Sequence, residues 1–307
     1  MRKIIYIINP VSGTRKKNDL QQFIEKKTRE QNISHRVFPS VASGDYSFLH
    51  PLIREQKITD VVIAGGDGTV NQVISSLMDY DVNFGIIPCG SGNGLAFAAR
   101  IPKQVNKALK IIFSGHAVGT DGFYLTDPDP SGWGSQFACM LCGLGFDARV
   151  AHDFADQQRR GLATYARLAI KNFLSMKKHR FQIQLQDVTF ETEAYFISIA
   201  NSNQFGNNFT IAPKASLSDG LLDIILATSN NKISFVWQTL QQLAGWNKLY
   251  AASMIKEKKG IIYFQTDQLN ISNLTNAPLH IDGEPAEPVR ELQIKIKKNC
   301  FRLLQPN

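Results

Sequence analysis

Val61-Val62-Ile63-Ala64-Gly65-Gly66-Asp67-Gly68-Thr69-Val70 couples four consecutive apolar residues to a glycine-rich turn, then to helically spaced apolar residues over 70–78. A short uninterrupted apolar run bounded by turn residues reads as a strand buried on both faces. A strand feeding a helix through a tight loop is half of a parallel α/β unit. The glycines allow positive φ and let backbone N–H groups reach a ligand with no Cβ in the way. The helix that follows adds unpaired N–H groups and the positive end of its dipole, a setting that suits phosphate. Asp67 separates chemistry from mere binding. A carboxylate beside phosphate is repelled unless a metal ion bridges the two or the carboxylate takes the proton of an attacking hydroxyl. The alternative is a tight turn in which Asp67 caps its own backbone.

The same grammar repeats on either side. Residues 4–8 read as a strand ending in Asn9-Pro10-Val11-Ser12-Gly13-Thr14, residues 20–27 as a helix, 35–38 as a strand and 46–55 as a helix. Residues 84–87 are a fourth strand, followed by Pro88-Cys89-Gly90-Ser91-Gly92-Asn93-Gly94 and an apolar stretch at 95–99. Regular alternation of strand and helix predicts a mainly parallel sheet, and such sheets bind ligands beyond the carboxyl ends of their strands. Three loops at three strand ends therefore line one edge. Neither G-x-x-x-x-G-K-[ST] nor G-x-G-x-x-G occurs. That excludes a Walker-type ATPase and a standard dinucleotide-binding Rossmann domain.

The pattern changes after about residue 115, and Asp127-Pro128-Asp129-Pro130 is the clearest break. Strand-like segments follow at 181–185, 194–200, 221–227, 261–265, 279–282 and 292–297, with helical spacing near 165–176 and 233–244. The stretch 292–297 alternates apolar and polar residues as a half-exposed strand does. The expected architecture is an α/β domain over residues 1–125 and a β-rich antiparallel sandwich over 126–294.

With 307 residues the chain is long enough for two domains. The apolar run after Arg2 and Lys3 stops at Asn9-Pro10, too short for a secretory segment, and no stretch approaches the length of a membrane span. A cytoplasmic protein is expected. Thirty-four basic against 26 acidic residues give a formal charge of +8, which favours nucleotide phosphates or anionic membrane surfaces as partners. Basic clusters lie at Arg15-Lys16-Lys17, 177–180, 256–259 and 295–298. With neither an aromatic–basic RNA motif nor a helix-turn-helix signature, nucleic acid is not expected. Cys139 and Cys142, in an apolar run with no second pair, read as buried structural thiols. Pairing through an exposed edge strand at 292–297 would give a homodimer, although its lysines oppose this.

Asn9-Pro10-Val11-Ser12-Gly13, Gly65-Gly66-Asp67-Gly68-Thr69 and Pro88-Cys89-Gly90-Ser91-Gly92-Asn93 together resemble the catalytic domain of the diacylglycerol kinase and sphingosine kinase family, which is related to NAD kinases. The resemblance continues through Gly143-Leu144-Gly145-Phe146-Asp147, Arg159-Arg160-Gly161, Ala212-Pro213-Lys214-Ala215, Ser218-Asp219-Gly220-Leu221-Leu222-Asp223 and Asp282-Gly283-Glu284. It implies an ATP-dependent, Mg²⁺-assisted lipid kinase working in a cleft between an α/β NAD kinase-like domain and a β sandwich. A C-terminal segment near 295–307 would return to the first domain, and the enzyme would touch the membrane only peripherally.

Carried over by motif, Asn9, Pro10, Ser12, Gly13, Ser40, Gly65, Gly66, Gly68, Thr69, Ser91 and Asn93 would hold the nucleotide, with Arg159, Arg160, Asp282 and Gly283. Asp67 and Glu284 would be the catalytic carboxylates, Asp147 would contact the lipid and Asp219 a structural metal. Ser91-Gly92-Asn93 is more similar to long-chain-base kinases than to bacterial diacylglycerol kinases, and Asn203-Gln204-Phe205-Gly206-Asn207-Asn208-Phe209 lacks the family's triple glycine. The acceptor therefore stays open between diacylglycerol and a sphingosine-like base. A soluble-metabolite kinase similar to NAD kinase, or a non-catalytic nucleotide-binding regulator, shares the glycine loop.

Overall fold

Four parallel strands order the first part of the chain. The computed structural model describes residues 2–12, 17–155, 157, 162–186, 188–204, 212–228, 237–238, 246, 249–251, 254–255 and 258–307. The chain divides into two compact units, Met1–Thr120 with Asn299–Asn307, and Asp121–Lys298.

The first unit contains β1 (Lys3–Ile8), α1 (Lys17–Glu30), β2 (Ser34–Pro39), a 3₁₀ turn at Ser47–Leu49, α2 (His50–Gln56), β3 (Asp60–Gly65), α3 (Asp67–Leu77), β4 (Asn83–Pro88), α4 (Gly94–Ala98), α5 (Val105–Ser114) and the start of β5 (Ala117–Thr126). Its parallel sheet runs β2-β1-β3-β4, with Arg302 and Leu303 of the C-terminal segment parallel to Asn83 and Phe84. β3 is buried along its whole length, and β1 and β4 over all but their first residues, which explains their near-continuous apolar sequence. At the amino end, Asp60 accepts from Arg2 Nε (3.0 Å) and Asn83 Nδ2 (3.1 Å), joining three strand starts. From β1 the chain steps one way to β2 and then the other way to β3. The β1/β3 gap is therefore the switch point where an open parallel sheet accepts ligand.

The second unit holds the rest of β5, β6 (Ser135–Ala138), β7 (Leu141–Gly145), α6 (Phe146–Ala155), α7 (Leu162–Ser175), β8 (His179–Leu185), β9 (Val188–Ala194), β10 (Phe196–Ala200), β11 (Leu222–Ala227), β12 (Ile261–Thr266), β13 (Gln268–Asn273), β14 (Leu279–Ile281), β15 (Glu284–Ala286) and β16 (Glu291–Leu304) up to Lys298. An antiparallel sheet β12-β11-β10-β7-β14-β15 shares one core with the antiparallel β9-β8-β13-β16 ladder. Ile197, Ile224, Phe264 and Leu279 from the first meet the same cluster as Phe181, Ile271, Leu292 and Ile294 from the second. The architecture is an N-terminal α/β domain with a mainly parallel sheet and a C-terminal antiparallel β sandwich, the fold class expected from the sequence.

Several boundaries differ. The strand read at 194–200 is two strands, because β9 lies in one sheet and β10 in the other. Tyr195 marks the corner, its N–H held by Ala227 O at 2.7 Å, and sandwich strands change sheets at such bends. The apolar run around Cys139 and Cys142 is broken at Cys139-Met140, and both thiols are buried. Burial pushes the Cys142 thiol well up. Asp127-Pro128-Asp129-Pro130 belongs to the hairpin joining β5 to β6. In β16, Leu292, Ile294 and Ile296 are buried while Gln293 and Lys295 are exposed, as the alternation predicts. The helical spacing at 233–244 lies outside the described residues apart from Trp237 and Gln238. α5, α6 and the strands β5, β6, β7, β13 and β15 add to the elements expected.

Candidate active site

In the first unit the loops after β1, β3 and β4 are locked to one another. Asn9 leaves β1 with its N–H on Ala64 O (2.9 Å), and its side-chain Nδ2 donates to Thr69 Oγ1 at 2.8 Å across the switch point. Its Oδ1 accepts from Val11 N–H (2.9 Å) and its backbone carbonyl from Ser12 Oγ (3.3 Å), so one asparagine shapes the whole turn. Pro10 lies exposed in the same turn. Ser40 is brought to the edge from β2 by its N–H bond to Ile8 O (3.0 Å), and Cys89, two residues before Ser91, by its bond to Gly65 O (2.9 Å). Asn93 closes the third loop on itself. Its Oδ1 accepts from Gly90 N–H and its Nδ2 donates to Gly90 O, both at 2.8 Å, with Asn93 in the left-handed region at φ +56°.

The glycines here answer to space. A Cβ on Gly90 would sit 2.5 Å from Gly66 Cα, and one on Gly65 would fall 2.8 Å from Thr69 Cβ. Gly66, immediately before α3, makes no side-chain cap, so the first turn of this helix offers its N–H groups and positive dipole end at the strand edge. That cradle, with Thr69 and Asn9 hydroxyl and amide groups beside it, suits phosphate oxygens, and Asp67 occupies its first turn. Gly90→Ala must push the two loops apart by about 1 Å. The expected result is a rise of about 10- to 100-fold in the nucleotide dissociation constant, the cost typical of such a misplacement, with the melting temperature nearly unchanged. Calorimetric titration with ATP checks it.

In the second unit, Asp282 and Gly283 (φ +48° and +84°) form a two-residue turn between β14 and β15. This is the left-handed pair favoured by Asp-Gly hairpins. The Asp282 carboxylate points inward. It accepts from the N–H groups of Cys139, Met140 and Leu141, each at 2.9 Å, and from Cys139 Sγ at 3.4 Å. Glu284 follows, exposed at the start of β15. Asp147, at the start of α6, is buried with Oδ2 3.7 Å from His280 Nε2. His280 Nδ1 accepts from Gly283 N–H (3.3 Å), which places the ring proton on Nε2, facing the carboxylate. Burial raises the Asp147 pKa and the imidazole opposes that rise. Gly143 makes the meeting possible: a Cβ there would fall 2.0 Å from Asp147 Oδ2 and 2.7 Å from His280 Nε2.

Asp219 is exposed in the turn before β11 and caps Leu221 N–H at 3.1 Å, while buried Asp121 takes the next N–H, Gly220, at 2.7 Å. Nearby, Asp223 is fully buried. Tyr263 Oη donates to its Oδ1, and Gln265 Nε2 lies 3.2 Å from Oδ2. Burial lifts the Asp223 pKa from 3.8 to about 6 against those two hydrogen bonds. Between pH 4 and 6 the folded chain thus holds a proton the unfolded chain has released, so this group's stabilisation is full below pH 4 and lost as pH rises through 6. The shift corresponds to about 3 kcal/mol. Asp223→Asn should flatten that part of the pH–stability curve and leave the variant at least as stable as the parent at pH 8. Urea unfolding from pH 4 to 8 reads the difference curve, and an upward slope between pH 4 and 6 would contradict the assignment.

The structure thus brings Asn9, Pro10, Ser12, Ser40, Gly65, Gly66, Asp67, Gly68, Thr69, Ser91 and Asn93 to one edge of the first unit. It groups Asp147, Asp282, Gly283 and Glu284 in the second, with Asp219 on a separate turn. Gly13, Arg15, Lys16, Arg159, Arg160, the stretch 205–209 and Lys256 lie outside the described residues. Sequence reasoning missed His280 and Asp121, and singled out Asp223 only as the last residue of the motif that begins at Ser218. The one available signal was Gly143, since a lone glycine within a strand marks close approach.

Residues 3–124 match the family described as diacylglycerol kinase catalytic domain, and residues 141–304 match the YegS C-terminal NAD kinase beta sandwich-like domain. A Citrobacter koseri protein named "Probable lipid kinase YegS-like" is 25% identical over 284 residues, covering 91% of this chain and 88% of that protein. A Yersinia pestis (strain Pestoides F) protein of the same name is 25% identical over 289 residues, covering 92% and 91%. Among solved structures, one proposed to be a diacylglycerol kinase from Bacillus anthracis str. Sterne superposes with a TM-score of 0.77 at 17% identity, covering 99% of this chain and 97% of that one. A diacylglycerol kinase from the same strain gives 0.72 at 18% identity and the same coverage.

Proposed function

The chain belongs to the lipid kinase family that joins a diacylglycerol kinase catalytic domain to a YegS-type C-terminal sandwich domain, and on that premise we propose that it transfers the γ-phosphate of ATP to a hydroxyl of diacylglycerol or of a sphingosine-like base. The observation that carries this reading is the switch-point edge, where the Asn9–Thr69 bond and the Gly66–Gly90 contact hold three loops around the open end of α3.

In this reading the first-turn N–H groups of α3, Thr69, Ser91 and the loop after β1 hold the nucleotide phosphates. Among the described residues no group of three or more His, Cys, Asp or Glu side chains could hold a metal alone. Mg²⁺ carried by a nucleotide needs only one or two carboxylates besides phosphate and water, and Asp67 is the one proposed. Bound there, Mg²⁺ would neutralise charge on the transferring phosphoryl group. Asp67 and Glu284 are the two carboxylates proposed to receive the acceptor's proton, which a weakly acidic alcohol must lose as the new P–O bond forms. Asp147 is buried, so its part in acceptor recognition is proposed to run through His280 and the Asp282–Gly283 turn that places Glu284. Asp219 and neighbouring carbonyls are the proposed ligands of a structural cation.

No helix among the described residues is long and apolar enough to cross a membrane. The test offers detergent-dispersed diacylglycerol, sphingosine and, separately, NAD to the purified chain with Mg²⁺ and ATP. A kcat/KM for one lipid at least 100-fold above that for NAD is expected. Phosphorylation of NAD with both lipids ignored would place the chain with the soluble-metabolite kinases.

A further inference from the structure

The connection from β11 to β12 is fastened at its base yet keeps large apolar side chains in solvent. At the neck, Thr228 N–H donates to Gly260 O (2.8 Å) and Gly260 N–H donates to Thr228 Oγ1 (3.0 Å). Farther out, Tyr250 N–H donates to Tyr263 O (2.8 Å), and Ile255 is inserted into the sandwich core. Gln238 Oε1 accepts from Ile261 N–H at 3.0 Å, which fixes Trp237 beside the start of β12. Despite these anchors, Trp237 is 60% exposed, Trp246 72% and Met254 53%. Single exposed apolar residues need no explanation, but two tryptophans and a methionine on one anchored excursion do.

Lysines lie at both ends of the same connection. Lys258 and Lys259 are exposed where the connection returns to β12. Lys258 N–H bonds Ile255 O (3.0 Å), next to Met254, and its ammonium lies 5.3 Å from the Tyr250 ring centroid. Lys178 Nζ reaches Thr228 O at the neck (3.4 Å), with exposed Lys177 adjoining it. Tryptophan with lysine is the pairing favoured at a bilayer–water boundary, where the indole sits at headgroup depth and the ammonium meets anionic lipid. A protein partner would not by itself call for exposed lysines and tryptophans on one connection, whereas an anionic bilayer supplies both the apolar slab and the negative charge.

We propose that Trp237, Trp246 and Met254, with Lys258 and Lys259, form the surface by which this chain docks onto an anionic bilayer. The purpose of the docking rests on the lipid-kinase reading, but the docking itself is measured without catalysis.

The 307-residue chain is floated with phosphatidylcholine vesicles with and without phosphatidylglycerol, and tryptophan quenching by brominated acyl chains is recorded. The chain has three tryptophans, and Trp237 and Trp246 are two of them, so quenching of about half or more of the emission is expected. The double variant W237A/W246A should bind vesicles at least about tenfold more weakly. K258S/K259S should lose binding to the anionic vesicles alone, with a shallower salt dependence. Both variants should keep the parental melting temperature and the parental turnover of a monomeric short-chain acceptor. Unchanged flotation of W237A/W246A would overturn the proposal. So would a shift from dimer to monomer in that variant with vesicle binding retained, which would make the surface a contact between copies. Failure of every lipid as acceptor, with flotation behaving as stated, would leave the docking surface standing and remove the lipid-kinase reading instead.

Discussion

Asp67→Asn lowers kcat by about 10²- to 10⁴-fold, the range in which a positioned acid–base or metal-bridging group acts. The substitution keeps the size of the side chain and removes only its charge. Asp67 lies in the first turn of α3, where a negative charge is worth at most about 1 kcal/mol to the helix, so stability changes little and the loss reads as chemistry. Glu284→Gln, at the exposed start of β15, divides the work between the two carboxylates. The variant that removes the general base loses the acidic limb of the kcat/KM profile, while the other loses rate but keeps the limb. Stopped-time assays from pH 5 to 9 decide between them. Parental turnover in Asp67→Asn would reduce that residue to a turn former.

Asp282→Ala destabilises the sandwich by about 3–5 kcal/mol. Its carboxylate satisfies three consecutive backbone N–H groups, those of Cys139, Met140 and Leu141, at the point where β7 begins. Removing it leaves buried donors without an acceptor, the costliest way to lose a hydrogen bond. Alanine also tolerates the left-handed φ of +48° less well than aspartate. Asp282→Asn keeps the turn and one acceptor oxygen, so an intermediate loss is expected. Urea unfolding midpoints order the three proteins. The same fragment of sequence that resemblance marks as part of the nucleotide site is thus held by the chain's own backbone at its first residue, and its exposed third residue, Glu284, is left available for chemistry.

The α/β unit was readable because its information is local. Residues 61–70 contain strand, loop and helix start within one window, and the neighbouring loops at Asn9 and Gly90 repeat that plan. The sandwich was readable only as a class. Whether residues 194–200 are one strand or two depends on a change of sheet at Tyr195, which hydrophobicity does not encode because both sides of the corner are buried. Long-range polar pairs were out of reach for the same reason. Asp147 meets His280, Asp282 meets Cys139, and Asp223 meets Tyr263 only after β7, β11, β12 and β14 have paired. A buried histidine two residues before an Asp-Gly turn looks in sequence like any apolar-strand residue.

Lipid phosphorylation is tested most directly by following the labelled phosphate. Purified chain, γ-labelled ATP, Mg²⁺ and mixed vesicles containing diacylglycerol and sphingosine are incubated and then extracted into chloroform–methanol, with Asp67→Asn run in parallel. The parent should carry label into the organic phase, and the variant at least about 100-fold less. Label that stays wholly in the aqueous phase, or a variant that labels lipid as fast as the parent, would contradict this expectation.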